Sequence, residues 1–284
     1  MDKQAISFPN IGGTILVNKK LGFIGGGAMA EALISGFIQS GLVQAPQVFV
    51  SDVNDQRLCY LADRYGVTIH CDNKQMVCCD ILFLTVKPNV VELALKDMAS
   101  QLTKDTLIVS VAAGITTGSL EKLLPDSPII RVMPNTPVSV RAGMSAITLG
   151  SRATASEGEM VADLFRSVGE TVILPEDLMD AVTGLSGSGP GYGFVLIDAL
   201  ADAGVRVGLP RKTSILLAAQ TLFGAAKMVL ETNDHPAVLR DSVTSPGGTT
   251  VAGIHMLEQG GVRAALSNAV YAACSRSKEM GKHK

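Results

Sequence analysis

The sequence predicts an α/β domain followed by an all-helical one. Three observations carry that prediction: short β-branched runs alternate with helical stretches in the first half, a glycine-rich turn directly follows the first of those runs, and almost no strand signal remains beyond 171–174. With 284 residues the chain is long enough for two domains, and the change of pattern divides it into 1–175 and 176–284.

Strands are expected at 21–24, 48–51, 67–69, 81–86, 107–111 and 129–133, with helical stretches at 29–39, 56–65 and 90–100 between them. This β-α-β-α order implies a parallel sheet covered by helices, and the unbroken apolar run Ile81, Leu82, Phe83, Leu84 fits a strand buried on both faces. Past 175 the period is helical, at 194–207, 211–231, 250–258 and 262–278. Pro210 after Gly208 and Leu209 marks one boundary, and the pair Gly260 and Gly261 marks another. His235, just before Pro236, reads as a helix-start residue, and His255 as a helical side chain. Residues 1–18 precede the pattern as an N-terminal extension.

Hydrophobic residues make up 47% of the chain and charged ones 18%, which excludes a disordered or tail-like protein. The net charge is −2 and the longest basic run is Lys19 with Lys20, so the chain lacks the electrostatic footprint of a nucleic-acid or anionic-membrane binder. Mean hydropathy is +0.31, yet there is no Trp and aromatics are only 4%, so Ala, Leu, Val, Ile and Met supply the apolarity. The most apolar stretches are interrupted, 215–230 by Gln220 and Lys227 and 195–207 by Asp198, Asp202 and Arg206, so no run of about 20 apolar residues exists to span a membrane. Burial between subunits then explains the excess, and Ala218, Ala219, Gly224, Ala225 and Ala226 permit close helix approach. No export pattern opens the chain, so a cytosolic location is expected. Cys59, Cys71, Cys78, Cys79 and Cys274 form an odd set without CxxC spacing. They are expected to be reduced, mostly buried thiols rather than a zinc site with His70, and no metal is expected.

Gly25, Gly27 and Ala30 form a G-x-G-x-x-A pattern directly after a strand and at the start of a helix. In that context Gly25 allows the tight turn, Gly27 lets a pyrophosphate approach the helix N-terminus, and Ala30 lets helix and strand pack closely, which defines a Rossmann-type dinucleotide-binding domain. At the end of the second strand, Asp52 argues for NAD, whereas Ser51 and Arg57 can serve a 2′-phosphate if Asp52 turns away. The ends of later strands border the same crevice. Lys87 before Pro88 is placed to reach a ribose or phosphate, or is a solvated helix-start lysine; small Ala112 and Ala113 leave room for a flat ring, or simply pack. The loop 133–137, with Pro134 and Pro137, either walls the nicotinamide or only connects.

Two glycine clusters in the second half are too dense for ordinary connections, 183–193 and 245–250. The second sets successive N–H groups and hydroxyls at a helix start, which suits a small carboxylate; capping by Thr249 or Ser245 is the alternative. No nucleophile–base–acid pattern, HExxH or paired-carboxylate motif is present, so an already electrophilic substrate such as a protonated imine suits the chain.

The segments 23–30 (FIGGGAMA), 86–88 (VKP), 110–114 (SVAAG), 131–137 (RVMPNTP), 184–190 (GLSGSGP) and above all 241–250 (DSVTSPGGTT) resemble pyrroline-5-carboxylate reductases, with similarity running over about 20–277. The resemblance implies reduction of 1-pyrroline-5-carboxylate to L-proline by NADPH or NADH, the last step of proline biosynthesis. It also implies a helical domain that forms a homodimer, with dimers assembling into a decamer. Ile24, Gly25, Gly26, Gly27, Ala28, Met29, Ser51, Asn73, Val86, Lys87, Pro88, Val111, Ala112 and Ala113 match positions that contact the coenzyme. Ser245, Gly247, Gly248, Thr249 and Thr250 match the loop that holds the substrate carboxylate, Thr250 matches a catalytic position facing the ring nitrogen, and Glu176 matches an acidic stretch near the substrate. Gly191, Asp52 and Ser242 depart from the usual pattern and bear on coenzyme choice and affinity. Another imine or β-hydroxyacid reductase of this plan would need a proton-shuttling Lys or acid in the helical part, and a non-catalytic NAD(P)-sensing regulator would have no use for the 245–250 cradle.

Overall fold

The computed structural model describes residues 19–96 and 98–282; the extension 1–18 and His283 lie outside the described residues. The α/β part runs β1 (Leu21–Ile24), α1 (Ala28–Gln39), β2 (Val48–Ser51), α2 (Asp55–Tyr65), β3 (Thr68–His70), β4 (Ile81–Leu84), α3 (Val91–Leu95), β5 (Leu107–Ser110), α4 (Thr117–Leu123), β6 (Ile129–Met133), β7 (Gly143–Leu149), α5 (Ala155–Arg166), β8 (Gly169–Ile173) and α6 (Met179–Val182). The strands form one sheet in the order β3-β2-β1-β4-β5-β6-β7-β8. The chain thus winds outward from β1 in one direction and from β4 in the other, and the crevice between the carboxyl ends of β1 and β4 is where such sheets bind ligands.

Local chemistry sets these elements. The Asn54 side chain accepts the Arg57 N–H to start α2, and Gly66 at φ 69° ends it; Thr154 and Glu157 exchange hydrogen bonds in a capping box that starts α5. Every residue of β1 and β4 is buried, as their apolar runs require. Phe23 of β1 stacks on Phe83 of β4 at 4.6 Å, and Phe37 of α1 and Phe165 of α5 close on the pair at 5.8 Å from each other. Four phenylalanines therefore pack together where helices cover the sheet at the switch point.

Three expectations are corrected. The sheet is not wholly parallel: β7, a strand the sequence does not announce, pairs antiparallel with β6, while β7 and β8 are parallel. The helix expected over 90–100 is only Val91–Leu95, because Met98 and Leu102 turn back into the core beside Leu95. By compactness the chain forms one unit up to Gly187 that also takes up the residues from Cys274 onward, and a second unit over 188–273. Glu176 and Asp180 bond into the first of these, to Thr117 and Arg131 and to Ser277. Finally, Cys59, Cys71 and Cys78 are exposed free thiols; only Cys79 is buried, and burial pushes its thiol pKa up.

The second unit is helical throughout, with α7 (Gly189–Arg206), α8 (Arg211–Thr232), α9 (Pro236–Ser242), α10 (Thr249–Gln259) and most of α11 (Val262–Lys282). His235 caps α9, its ring accepting the Ala237 N–H. Small residues bring α7 and α8 together: a Cβ added at Gly204 would lie 2.6 Å from the Ser214 hydroxyl, and Ala201, Ser214 and Ala218 are the buried residues of the 188–273 segment. Large apolar side chains remain outside, among them Phe194, Leu216, Phe223, Leu230, Met256 and Tyr271. By length and composition alone α8 is long and apolar enough to cross a membrane, with a mean hydropathy of 1.4 over its most apolar stretch.

Candidate functional site

The glycine turn after β1 is built to leave backbone N–H groups open. Gly25 sits at φ 97°, donates its N–H to the Ser51 carbonyl at 2.7 Å, and has no space for a side chain, since a Cβ would fall 2.7 Å from Val86. Gly27 is the N-cap of α1 without a side-chain cap, and nothing lies within 4 Å of where its Cβ would be. The start of α1 therefore keeps unpaired donors and the positive end of its dipole beside open space, which fits the pyrophosphate of a dinucleotide. Ala30 is fully buried against the sheet, as the motif requires.

The end of β2 comes close to this turn. Asp52 accepts the Gly26 N–H at 2.7 Å and the Asn54 N–H at 2.9 Å. Arg57 donates to the carbonyls of Gly26 and Gly27 and pairs with Glu31 of α1, whose carboxylate also accepts the hydroxyls of Tyr60 at 3.0 Å and Tyr65 at 2.9 Å. Burial disfavours the charge on Glu31, but the bonds from Arg57, Tyr65 and Tyr60 outweigh it and hold the carboxyl below its ordinary pKa. Ser51 and Asn73 are brought together: the buried Ser51 hydroxyl donates to Asn73 at 2.6 Å, and Asn73 donates to the Ala94 carbonyl at 3.0 Å.

The ends of β4 and β5 complete the edge. Thr85 follows β4 and lies with its hydroxyl 2.7 Å from the Gly25 carbonyl and 3.0 Å from that of Ile24. Val86 packs beneath Gly25, and Lys87 is exposed, with Pro88 opening a short 3-10 turn as expected of a helix-start proline. Val111 donates to the Leu84 carbonyl, Ala112 is buried and Ala113 half-buried, which leaves a low floor beside the switch point. Ile24, Gly25, Gly26, Ser51, Val86, Val111 and Ala112 thus share one edge of the sheet. Thr85, Glu31 and Asp52's hold on Gly26 are not marked by the sequence motifs; an acid one position past the third motif residue, with an Arg in the first turn of the facing helix, is the available signal for Glu31.

Asn135 pins the 133–137 loop, donating to the Ser186 carbonyl at 3.0 Å and accepting the Met144 N–H at 2.9 Å. Glu176, expected near the substrate, has its carboxylate occupied: it accepts the N–H and hydroxyl of Thr117 at the start of α4 and the Arg131 guanidinium at 3.1 Å.

In the helical unit, the 245–250 segment forms a tight turn into α10. Gly248 donates to the Ser245 carbonyl at 3.0 Å, Gly247 has φ 69°, and a Cβ on Gly248 would fall 2.3 Å from the Ser245 hydroxyl. The N-cap is Gly248 itself and no side chain caps the helix, so neither Thr249 nor Ser245 plays the capping role the sequence allowed. Thr249 and Thr250 are exposed in the first turn of α10, beside unpaired N–H groups. Ser242 donates its hydroxyl back to the Leu239 carbonyl. The start of α7 is similarly bare: Gly189, Gly191 and Gly193 have no neighbour within 4 Å of an added Cβ.

Comparison with known proteins agrees with both halves. Residues 176–280 match the family described as pyrroline-5-carboxylate reductase dimerisation, and residues 20–114 match NADP oxidoreductase coenzyme F420-dependent. A pyrroline-5-carboxylate reductase of Methanosarcina acetivorans is 46% identical over 93% of this chain and 99% of its own length. A solved pyrroline-5-carboxylate reductase from Coxiella burnetii superposes with a TM-score of 0.86 at 38% identity, covering 92% of this chain and 98% of that one. The Plasmodium falciparum pyrroline carboxylate reductase, solved with NADP bound, gives 0.83 at 32% identity over 93% and 98%. With identity this high along nearly the whole length, this chain belongs to the pyrroline-5-carboxylate reductase family.

Proposed function

We propose that this chain reduces 1-pyrroline-5-carboxylate to L-proline with NAD(P)H. The observation that carries the proposal is the uncapped start of α10, where bare N–H groups and two threonine hydroxyls stand ready for a small carboxylate. It supports the substrate's anionic end being taken up by Gly247, Gly248 and Thr249, with Ser245 bracing the turn. The glycine turn of Gly25, Gly26 and Gly27 and the uncapped start of α1 fit the coenzyme's pyrophosphate. Ala28 and Met29 continue that helix end, and Lys87 with Pro88 adds a cation at the same edge.

When bound, the reduced nicotinamide supplies a hydride. It would add to C5 of the protonated C=N bond, the π pair would become the lone pair of a neutral secondary amine, and that amine would take one proton from solvent to give the ammonium of proline. The substrate arrives as an electrophile, so the residues orient it and exclude water rather than build a nucleophile. We assign Thr250 to accept the N–H of the ring nitrogen, which would fix the face presented to the hydride and hold the proton where the product needs it. Glu176 is assigned a supporting role through Arg131 and Thr117 in place of a substrate contact.

Homodimer formation belongs to the same reading, because the helical unit leaves its large apolar side chains outside. Further assembly into a decamer and action in the cytoplasm are the finer parts of it; the five free cysteines support a reducing compartment. The test is to mix the purified protein with 1-pyrroline-5-carboxylate and NADH or NADPH and follow loss of the reduced-nicotinamide absorbance. Formation of proline in step with that loss is expected; no turnover with either coenzyme would overturn the proposal.

A further inference from the structure

We infer that Asp52 makes this chain prefer NADH over NADPH, by holding a fixed negative charge where the 2′-phosphate of NADPH would lie. The inference rests on the reductase reading above and sharpens its coenzyme. The sequence leaves two arrangements open at the end of β2: the acid forward, or the acid turned away while Ser51 and Arg57 receive a phosphate.

The structure adopts the first arrangement and disables the second. Both Asp52 oxygens accept backbone N–H groups, from Gly26 at 2.7 Å and Asn54 at 2.9 Å, so turning the carboxylate away breaks two charge-assisted bonds, one of them to the pyrophosphate turn itself. The Ser51 hydroxyl is only 2% exposed and is already donated to Asn73. Arg57 bonds the Gly26 and Gly27 carbonyls and Glu31, and its guanidinium lies over the Tyr60 ring at 5.0 Å from the centroid. Recruiting Arg57 to a phosphate would release the two glycine carbonyls that shape the turn, and would strip Glu31 of its counter-charge.

A ribose diol meets this carboxylate as a pair of hydroxyl donors, whereas a phosphate meets it as a second anion with no freed cation to offset it. Asp52 therefore acts by attraction toward one coenzyme and repulsion toward the other, which is how specificity is sharpened.

The experiment titrates the full-length protein with NADH and with NADPH in the absence of substrate. Emission of the bound reduced nicotinamide is a clean reporter in a chain without Trp. NADH is expected to bind roughly tenfold more tightly than NADPH, the size of effect one partly screened charge pair produces. Asp52→Asn and Asp52→Ser are expected to bring the two dissociation constants within about twofold of one another. The inference is overturned if NADPH binds the unaltered protein as tightly as NADH, or if folded Asp52 variants keep the original ratio. Should both variants fail to fold, the ratio for the unaltered protein decides alone. Binding of neither coenzyme would overturn the reductase reading together with the inference, whereas binding of both without preference would overturn the inference only.

Discussion

The Arg131 guanidinium, almost wholly buried on β6, donates to the Glu176 carboxylate at 3.1 Å, and the same carboxylate takes the N–H of Thr117 at the start of α4. One acid thereby neutralises a buried cation and caps a helix. Glu176→Ala leaves Arg131 charged, buried and unpaired, at a cost of about 3 kcal/mol, or a fall in Tm on the order of 10 °C. Glu176→Gln, which keeps an acceptor for Thr117, should fall less. Thermal unfolding followed by circular dichroism measures this. An unchanged Tm together with a raised KM for the imine would return Glu176 to the substrate role that the sequence motif implies.

The two motif glycines are expected to separate by function. Gly25→Ala places a side chain at φ 97° and 2.7 Å from Val86, so the folded protein should lose about 1–3 kcal/mol of stability. Gly27→Ala meets nothing within 4 Å and has an ordinary φ of −64°, so Tm should move by no more than about 2 °C. Its methyl group nevertheless stands where a pyrophosphate approaches the helix start, and coenzyme affinity should fall roughly tenfold or more. Equal damage to folding and binding in both variants would contradict the assignment.

This contrast also explains what the sequence made legible. The pyrophosphate turn is written in one short motif, because a tight turn, a close approach and a packed helix each demand a small residue at a fixed position, and β1 and β4 announce themselves as unbroken apolar runs. Strand β7 does not, since Ser145 and Thr148 are buried within it and a buried strand with polar residues reads as a loop until its pairing with β6 is known. Thr148 meets its need by donating to the Leu174 carbonyl, a partner far along the chain. The commitment of Arg57 to Glu31 is likewise invisible in sequence, where an arginine after a ribose-binding acid looks available for a phosphate.

Thr250 offers a cleaner separation of roles. Thr250→Ala should lower kcat/KM for the imine by roughly tenfold through loss of one bond to the ring nitrogen, while the dissociation constant for the coenzyme stays within about twofold. Thr250→Ser, which keeps the hydroxyl, should recover most of the rate. Steady-state kinetics beside coenzyme titration measures both. Parallel loss of rate and coenzyme binding in Thr250→Ala would remove the residue from the substrate side.

Glu31 gives the pyrophosphate turn a defined acid limit. Its folded pKa is held down by Arg57, Tyr65 and Tyr60, so the stability it contributes is fully present above its unfolded value of about 4.3 and is lost as pH falls through the lower folded value. The stability difference between the unaltered protein and Glu31→Gln should thus be largest near neutrality and shrink below about pH 4. Denaturant titrations from pH 3 to 7 test this; a difference that is constant with pH would mean that the carboxylate charge contributes nothing.

The helical unit makes the strongest demand on a second subunit. Among residues 188–273 only Ala201, Ser214 and Ala218 are buried, too little apolar surface to offset the ordering of five helices, while Leu216, Phe223 and Leu230 of α8 stand exposed along a helix apolar enough to pass for a membrane span. A second copy covering α8 satisfies both facts at once, and stability should then depend on protein concentration by mass action. Leu216→Glu combined with Phe223→Glu places charge within that covered face, which should convert the dimer to monomer, lower Tm by on the order of 10 °C and abolish turnover. Light scattering coupled to size exclusion reads the mass directly. A stable, active monomer, in the double variant or on dilution of the unaltered protein, would mean that α8 is covered by something other than its own copy.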